Sequence, residues 1–163
     1  MIIRDATADD IPPITDIYNE VVANTTAIYD QVASTLEERL AWFHSRREAG
    51  YPVLVAEEAG EVVGFSALGP WRPRWGYRHT TEHSIHVRAD RRGQGLGRAL
   101  VEALFPLARA RDFHMMIGHI DAEMTASLAL HEKLGFRQIG RFPQVAHKFG
   151  RWLDLVAVQK QVD

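Results

Sequence analysis

Residues 92–97 read Arg92-Gly93-Gln94-Gly95-Leu96-Gly97, and what stands on either side of them decides the fold. Upstream, Thr80 to Arg88 reads as a strand. Downstream, Gln94 to Ala110 has the spacing of an amphipathic helix, with Leu96, Leu100, Leu104 and Leu107 turned inward. Ala89-Asp90-Arg91-Arg92-Gly93 joins the two. Glycines between a strand and a helix let main-chain N–H groups close on an anion, and the helix dipole favours negative charge there. The place suits a pyrophosphate. A dinucleotide-binding first βα unit does not fit, because the turn falls past mid-chain and the following strand ends near Asp121, too far on for the acidic partner such a unit needs. A nucleotide P-loop is excluded outright, since Gly97-Arg98-Ala99 replaces its Gly-Lys-Ser/Thr ending.

Working outward, Ile2-Ile3-Arg4 opens the chain as a short strand. Thr7 and Asp10 then form an N-cap with a carboxylate one turn in, for a helix from about Asp9 to Val22 with Ile11, Ile14, Ile17 and Val21 on its inner face. A second helix is expected from Thr35 to Ala49, closed by Gly50, with Leu36, Leu40 and Phe43 as its buried stripe. Strands Pro52–Glu57 and Val62–Leu68 flank Glu58-Ala59-Gly60-Glu61, which has hairpin length. Beyond the central helix come a strand Met115–Ile120, a helix Thr125–Leu134 stopped by Gly135, a strand Phe136–Arg141 and a last strand Trp152–Gln161. The order is βααβββαβαββ, an α/β (α+β) domain with a mixed, mostly antiparallel sheet of about seven strands and helices on both faces. Gly69 to His79 is the longest loop with functional potential.

With 163 residues, 46% hydrophobic, the chain has the size of one domain, 1–163, with a substantial core. It contains no cysteine, so disulfides, thiolate metal sites and a cysteine nucleophile are excluded, in keeping with a cytoplasmic protein. Neither a signal peptide nor a membrane helix is expected, because apolar runs such as Pro52-Val53-Leu54-Val55-Ala56 fall far short of the roughly 20 residues that span a bilayer. A formal net charge of -2 gives no bulk attraction for nucleic acid. The arginines between Arg88 and Arg98 therefore need a local explanation.

On these residues the chain resembles the GNAT superfamily of acetyl-CoA-dependent N-acetyltransferases, whose Arg/Gln-x-x-Gly-x-Gly/Ala signature is matched by Arg92, Gly95 and Gly97. Leu130-His131-Glu132-Lys133-Leu134-Gly135-Phe136 matches a second landmark, the helix and turn on the far side of the cofactor cleft. Within the superfamily it is most similar to the phosphinothricin and methionine sulfone/sulfoximine acetyltransferases, on Ile17-Tyr18-Asn19, Trp71-Arg72-Pro73, Tyr77 through Ser84, Pro143-Gln144-Val145, and Lys148 through Leu155. The resemblance implies acetyl-CoA contacts at Ile85, His86, Val87, Arg92, Gly93, Gln94, Gly95, Leu96, Gly97 and Arg98. It implies substrate contacts at Arg72, Pro73, Arg74, Glu82, His83 and Ser84, and a homodimer with the acceptor site near the subunit interface. Three departures stand out. Met124 occupies the position of an asparagine that holds the pantetheine arm, and His131 that of a frequent tyrosine acid; His86 replaces the usual tyrosine of the motif strand.

Acetyl transfer needs a neutral amine, a polarised acetyl carbonyl and an acceptor for the released proton. Glu82 is the candidate base, and the main-chain N–H of His86 or Val87 the candidate polarising group. Arg72, Arg74 and Arg78, interleaved with Trp71, Trp75 and Tyr77, could grip a carboxylate or form a solvated basic loop. Arg88, Arg91, Arg92 and Arg98 could face CoA phosphates. His79, His83 and His86 do not make a metal site, since odd and even strand positions face opposite ways. No metal and no nucleic-acid or membrane partner is expected. The acceptor is expected to be a small methionine- or glutamate-like amino acid; the alternatives are a GNAT acting on a polyamine, an aminoglycoside or a protein N-terminus, and a non-catalytic acyl-CoA-binding domain.

Overall fold

The computed structural model describes residues 1–163. Its elements are β1 (Ile2–Asp5), α1 (Ile11–Asn24), α2 (Leu36–Glu48), β2 (Val53–Glu58), β3 (Glu61–Pro70), β4 (Thr80–Val87), α3 (Leu96–Arg109), β5 (Met115–Asp121), α4 (Thr125–Lys133), β6 (Arg137–Lys148) and β7 (Arg151–Gln161). The strands form one sheet in the order β1-β2-β3-β4-β5-β7-β6. Every neighbouring pair is antiparallel except β4 and β5, which run parallel. That parallel pairing spans only Thr80–Glu82 against Met115–Ile117. Beyond it the two strands part, and the gap between them opens the sheet at its centre.

Helices α1 and α2 cover one face, where Ile11, Ile14, Ile17 and Phe43 pack on Val53, Val55, Phe65 and Ala67. Helix α3 covers the other, its Val101, Leu104 and Ala108 meeting Leu54, Leu68, Met116 and Ile120, while Leu96 and Leu100 meet Ala56 and Val63. β3 lies between both layers and is buried from Val62 to Gly69, which is why its sequence, apart from Ser66, is an apolar run rather than an alternation. Each fully buried Leu or Phe contributes about 1.5–3 kcal/mol by leaving water.

Some boundaries move for identifiable reasons. α1 begins at Ile11 rather than Asp9, because Pro12 and Pro13 lack N–H donors and are tolerated only in a first turn. Ala8–Asp10 form a 3₁₀ turn instead, and the Asp10 carboxylate accepts the N–H of Thr7 at 2.8 Å. Leu36, expected in the buried stripe of α2, is the first helical residue and is 45% exposed. Arg39 takes an inward place, its guanidinium 4.1 Å from the ring centroids of both Tyr18 and Trp42. β6 runs on to Lys148, past the expected end at Arg141. Its pairing with β7 shifts register between Phe142 and Ala146, where Gln144 has φ 53° and Pro143 interrupts the pattern. Phe149 and Gly150, both at positive φ, then make the two-residue turn into β7.

Candidate active site

Strand parity decides what the opening between β4 and β5 presents. The N–H of Arg88 donates to Val63 of β3 at 2.9 Å, and the register between β3 and β4 is unbroken from Gly64–Val87 to Pro70–Thr81. The two-residue period of a strand therefore turns the N–H of His86 towards β3, and those of Ile85 and Val87 towards the gap. Of the two polarising groups the sequence allowed, Val87 is the one the cleft exposes.

At the mouth of the gap lies the glycine-rich turn. Gly93 and Gly95 have φ of +76° and +85°, and a Cβ on either would meet nothing within 4 Å. Glycine is needed there for backbone shape, not for packing room. Between Gly93 and Arg98 no main-chain N–H finds an acceptor within the chain. These amides, at the start of α3, face a cavity of about 610 Å³ bordered by Arg91, Arg92, Arg98 and Lys133, and at its inner end by Ile85, His86, Val87, Met124 and Ser127. Unpaired amides at a helix N-terminus, ringed by cations, form an anion cradle. Gln94 is turned away, its amide donating to Asp90 at 3.4 Å, and the Leu96 side chain is core. Arg88 does not line the cavity, and Asp90 and Glu61 hold its guanidinium at 2.7 and 3.0 Å; Arg91, Arg92 and Arg98, which do line it, are paired as well, with Glu58, Glu20 and Glu102.

A second cavity, of about 440 Å³, shares Ala27, Ile85, His86, Met124 and Ser127 with the first and adds Tyr29, Glu82, His83, Ser84, His119, Asp121 and His131. The two form one passage through the gap. Glu82, Ser84, His119 and Asp121 lie on the α1/α2 face, and the Glu82 carboxylate sits 3.1 Å from Nδ1 of His119. Tyr29, on the loop between α1 and α2, donates its hydroxyl to Asp121 at 2.6 Å. Burial and that carboxylate push the phenol upward, so it stays protonated. His86 packs beside Phe65 and Tyr18, and burial with Arg39 and Arg92 nearby pushes it down to about 4, leaving a neutral ring.

His83 points to the opposite face and is 6% exposed. Its Nε2 stands 2.8 Å from Nε2 of His131, while its Nδ1 faces the Ile117 carbonyl at 3.1 Å and that of His131 the Ser127 carbonyl at 2.7 Å. Gly118 makes room for the pair, since a Cβ there would stand 2.7 Å from His83 Cε1. Met124 lines both cavities with a thioether where an amide would have offered a hydrogen bond. Arg72, Pro73 and Arg74 are exposed and border neither cavity. Their loop folds on itself, with Arg72 4.8 Å from the Trp71 ring and Arg78 3.6 Å from that of Trp75. No group of three His, Asp or Glu side chains is arranged to hold a metal.

Tyr29, His119 and Asp121 escape sequence reasoning. The alternation Ile117, His119, Asp121 on one strand was the available signal for the last two; Tyr29 sits in an irregular loop with no periodicity to mark it.

Residues 14–136 match the model of the acetyltransferase (GNAT) family. The L-methionine sulfoximine/L-methionine sulfone acetyltransferase of Pseudomonas aeruginosa is 50% identical over 162 residues, which cover 99% of this chain and 94% of that protein. A putative acetyltransferase from Salmonella typhimurium, solved with its cofactor acetyl-CoA, superposes with a TM-score of 0.98 at 45% identity, over all of this chain and 94% of the other. A structure from Brucella melitensis titled ribosomal-protein-alanine N-acetyltransferase gives a TM-score of 0.97 at 46% identity, over 99% of each chain. With its split sheet, its glycine-rich turn and these relatives, the chain belongs to the acetyltransferase (GNAT) family.

Proposed function

We propose that this enzyme, an acetyl-CoA-dependent N-acetyltransferase, acetylates the α-amine of a small methionine- or glutamate-like amino acid, with methionine sulfone, methionine sulfoximine and phosphinothricin as acceptors. The observation that carries the reading is the single passage running from an anion cradle to a carboxylate between parted strands. Acetyl-CoA, when bound, supplies the acetyl thioester. The amides of Gly93 to Arg98, with Arg91, Arg92 and Lys133, suit its diphosphate, and the edge of β4 from Ile85 to Val87, where Nε of Arg92 holds the Val87 carbonyl at 3.1 Å, suits its amide-bearing arm. Glu82, directly or through water, removes a proton from the acceptor ammonium, and the N–H of Val87 draws charge towards the acetyl oxygen. The amine nitrogen then bonds to the acetyl carbon as the carbon–sulfur bond breaks, and the second nitrogen proton ends on the departing sulfur, which leaves as the CoA thiol, with no covalent intermediate on the enzyme.

No helix is long and apolar enough to cross a membrane. We place the enzyme in the cytoplasm as a homodimer. The edge strand β6 and its hairpin expose Ile139, Phe142, Val145, Phe149 and Trp152, an apolar row suited to a second copy.

Thiol release from acetyl-CoA across a panel of free amino acids, polyamines and peptides with N-terminal alanine tests the acceptor. Turnover on methionine sulfone is the expected result; turnover on peptides alone would transfer the assignment to protein N-termini, the acceptor class in the name of the Brucella protein. Glu82→Gln should lower kcat by about 10²–10⁴-fold and remove the acidic limb of the pH profile. An unchanged profile would take the base role from Glu82.

A further inference from the structure

Arg46, in the last turn of α2, ends in a half-buried guanidinium that no carboxylate or carbonyl of the chain engages. It lies 5.8 Å from the Trp42 ring centroid and against a glycine. A Cβ on Gly69 would stand 2.9 Å from Nη2 and 3.0 Å from Cζ and Nε of Arg46, so the bare backbone at Gly69 is the seat on which the flat cation rests. Gly69 is the cross-strand partner of Glu82. Directly paired residues present their side chains on the same face, about 4.5–5.5 Å apart. The Arg46 cation and the Glu82 carboxylate are therefore neighbours that do not close into a salt bridge. A cavity of about 170 Å³, walled by Trp42, Arg46, Gly69, Pro70, Glu82 and Ser84, lies between them. Glu82 and Ser84 also border the acceptor cavity, so the two spaces share a wall.

A cation and an anion held side by side complement a zwitterion turned the opposite way. Leaving a guanidinium partly buried without an acceptor costs free energy, and so does a glycine inside a strand. A bound anion offsets both. The arginines of the exposed loop, Arg72, Arg74 and Arg78, line neither of these two cavities. We propose that Arg46 binds the α-carboxylate of the acceptor amino acid while Glu82 faces its amine, which makes Arg46 the residue that selects amino acids over other amines. The assignment rests on the acceptor class proposed above.

The test is steady-state kinetics with methionine sulfone and with its α-carboxamide, on the wild type, Arg46→Gln, Arg46→Lys and Arg47→Gln. Losing a charge-assisted hydrogen bond should cost about 10- to 100-fold in kcat/KM. The wild type should favour the acid over the amide by that factor. Arg46→Gln should lose this preference through a higher KM for the acid, with KM for acetyl-CoA unchanged, while Arg47→Gln, a change at the exposed neighbour, keeps it. Arg46→Lys, which retains the charge but not the planar fork, should fold and show an intermediate preference. A wild-type preference surviving in Arg46→Gln, or in Arg46→Lys if the glutamine variant does not fold, overturns the role of Arg46 and leaves the acceptor class standing. Absence of turnover on every free amino acid by the wild type overturns both.

Discussion

Between His83 and His131 the hydrogen bonds require one proton more than two neutral rings carry. Each Nδ1 faces a main-chain carbonyl, which calls for an N–H on both, and two bare Nε2 atoms then meet at 2.8 Å. Burial holds both rings down, His83 to about 3, so the neutral pair gives up one bond, and the longer contact, His83 to Ile117, is the one to yield. His86, at about 4, is likewise neutral in the fold. An unfolded chain protonates these rings near 6.5, so between about pH 6.5 and 4 it binds protons that the folded chain refuses, and stability falls as pH falls. The slope is at most about 1.4 kcal/mol per pH unit for each ring. Urea denaturation at pH 7, 6 and 5 should show it, and His86→Phe should flatten it; a wild-type stability constant over that range would remove the neutral-ring assignment.

The glycine-rich turn makes the clearest prediction among the elements. Gly95 caps α3 in the left-handed region, where a Cβ costs about 1–2 kcal/mol by its clash with the next carbonyl. Gly95→Ala should fold, melt a few degrees lower and raise KM for acetyl-CoA about tenfold, with KM for the acceptor unchanged; equal effects on both substrates would show that the turn does not serve the cofactor alone. This turn was legible because its chemistry is local: glycines, a strand before, an amphipathic helix after. The hairpin at Ala59-Gly60 and the inner face of α1 were legible on the same grounds. What stayed hidden depends on contacts distant in the chain. Nothing near Arg46 announces Gly69, nothing near Tyr29 announces Asp121, and the bulge around Gln144 disguised half of β6 as loop. Arg88 had the right company for a phosphate contact, but its place outside the cavity depends on pairing with Glu61, far back in the chain.

For the whole molecule, the open question is what meets the far edge of the sheet. β6 is an edge strand of 12 residues, and Ile139, Phe142 and Val145 on it are half or more exposed. Light scattering should give the mass of a dimer, and Ile139→Lys with Phe142→Lys should give a monomer; a wild-type monomer at micromolar concentration would end the proposal. The same strand ends at Lys148, whose buried ammonium donates to the carbonyls of Val22, Thr25 and Ile28 at 2.7, 2.8 and 2.7 Å. One side chain thus stitches the close of α1 and the segment leading to Tyr29 onto the last strands of the fold. To swing that segment aside would leave a buried ammonium without its acceptors, so it behaves as masonry and not as a door. Traffic of acceptor and product must then pass around it, and a sequence change that frees it should loosen the selectivity of the chamber before it touches the chemistry.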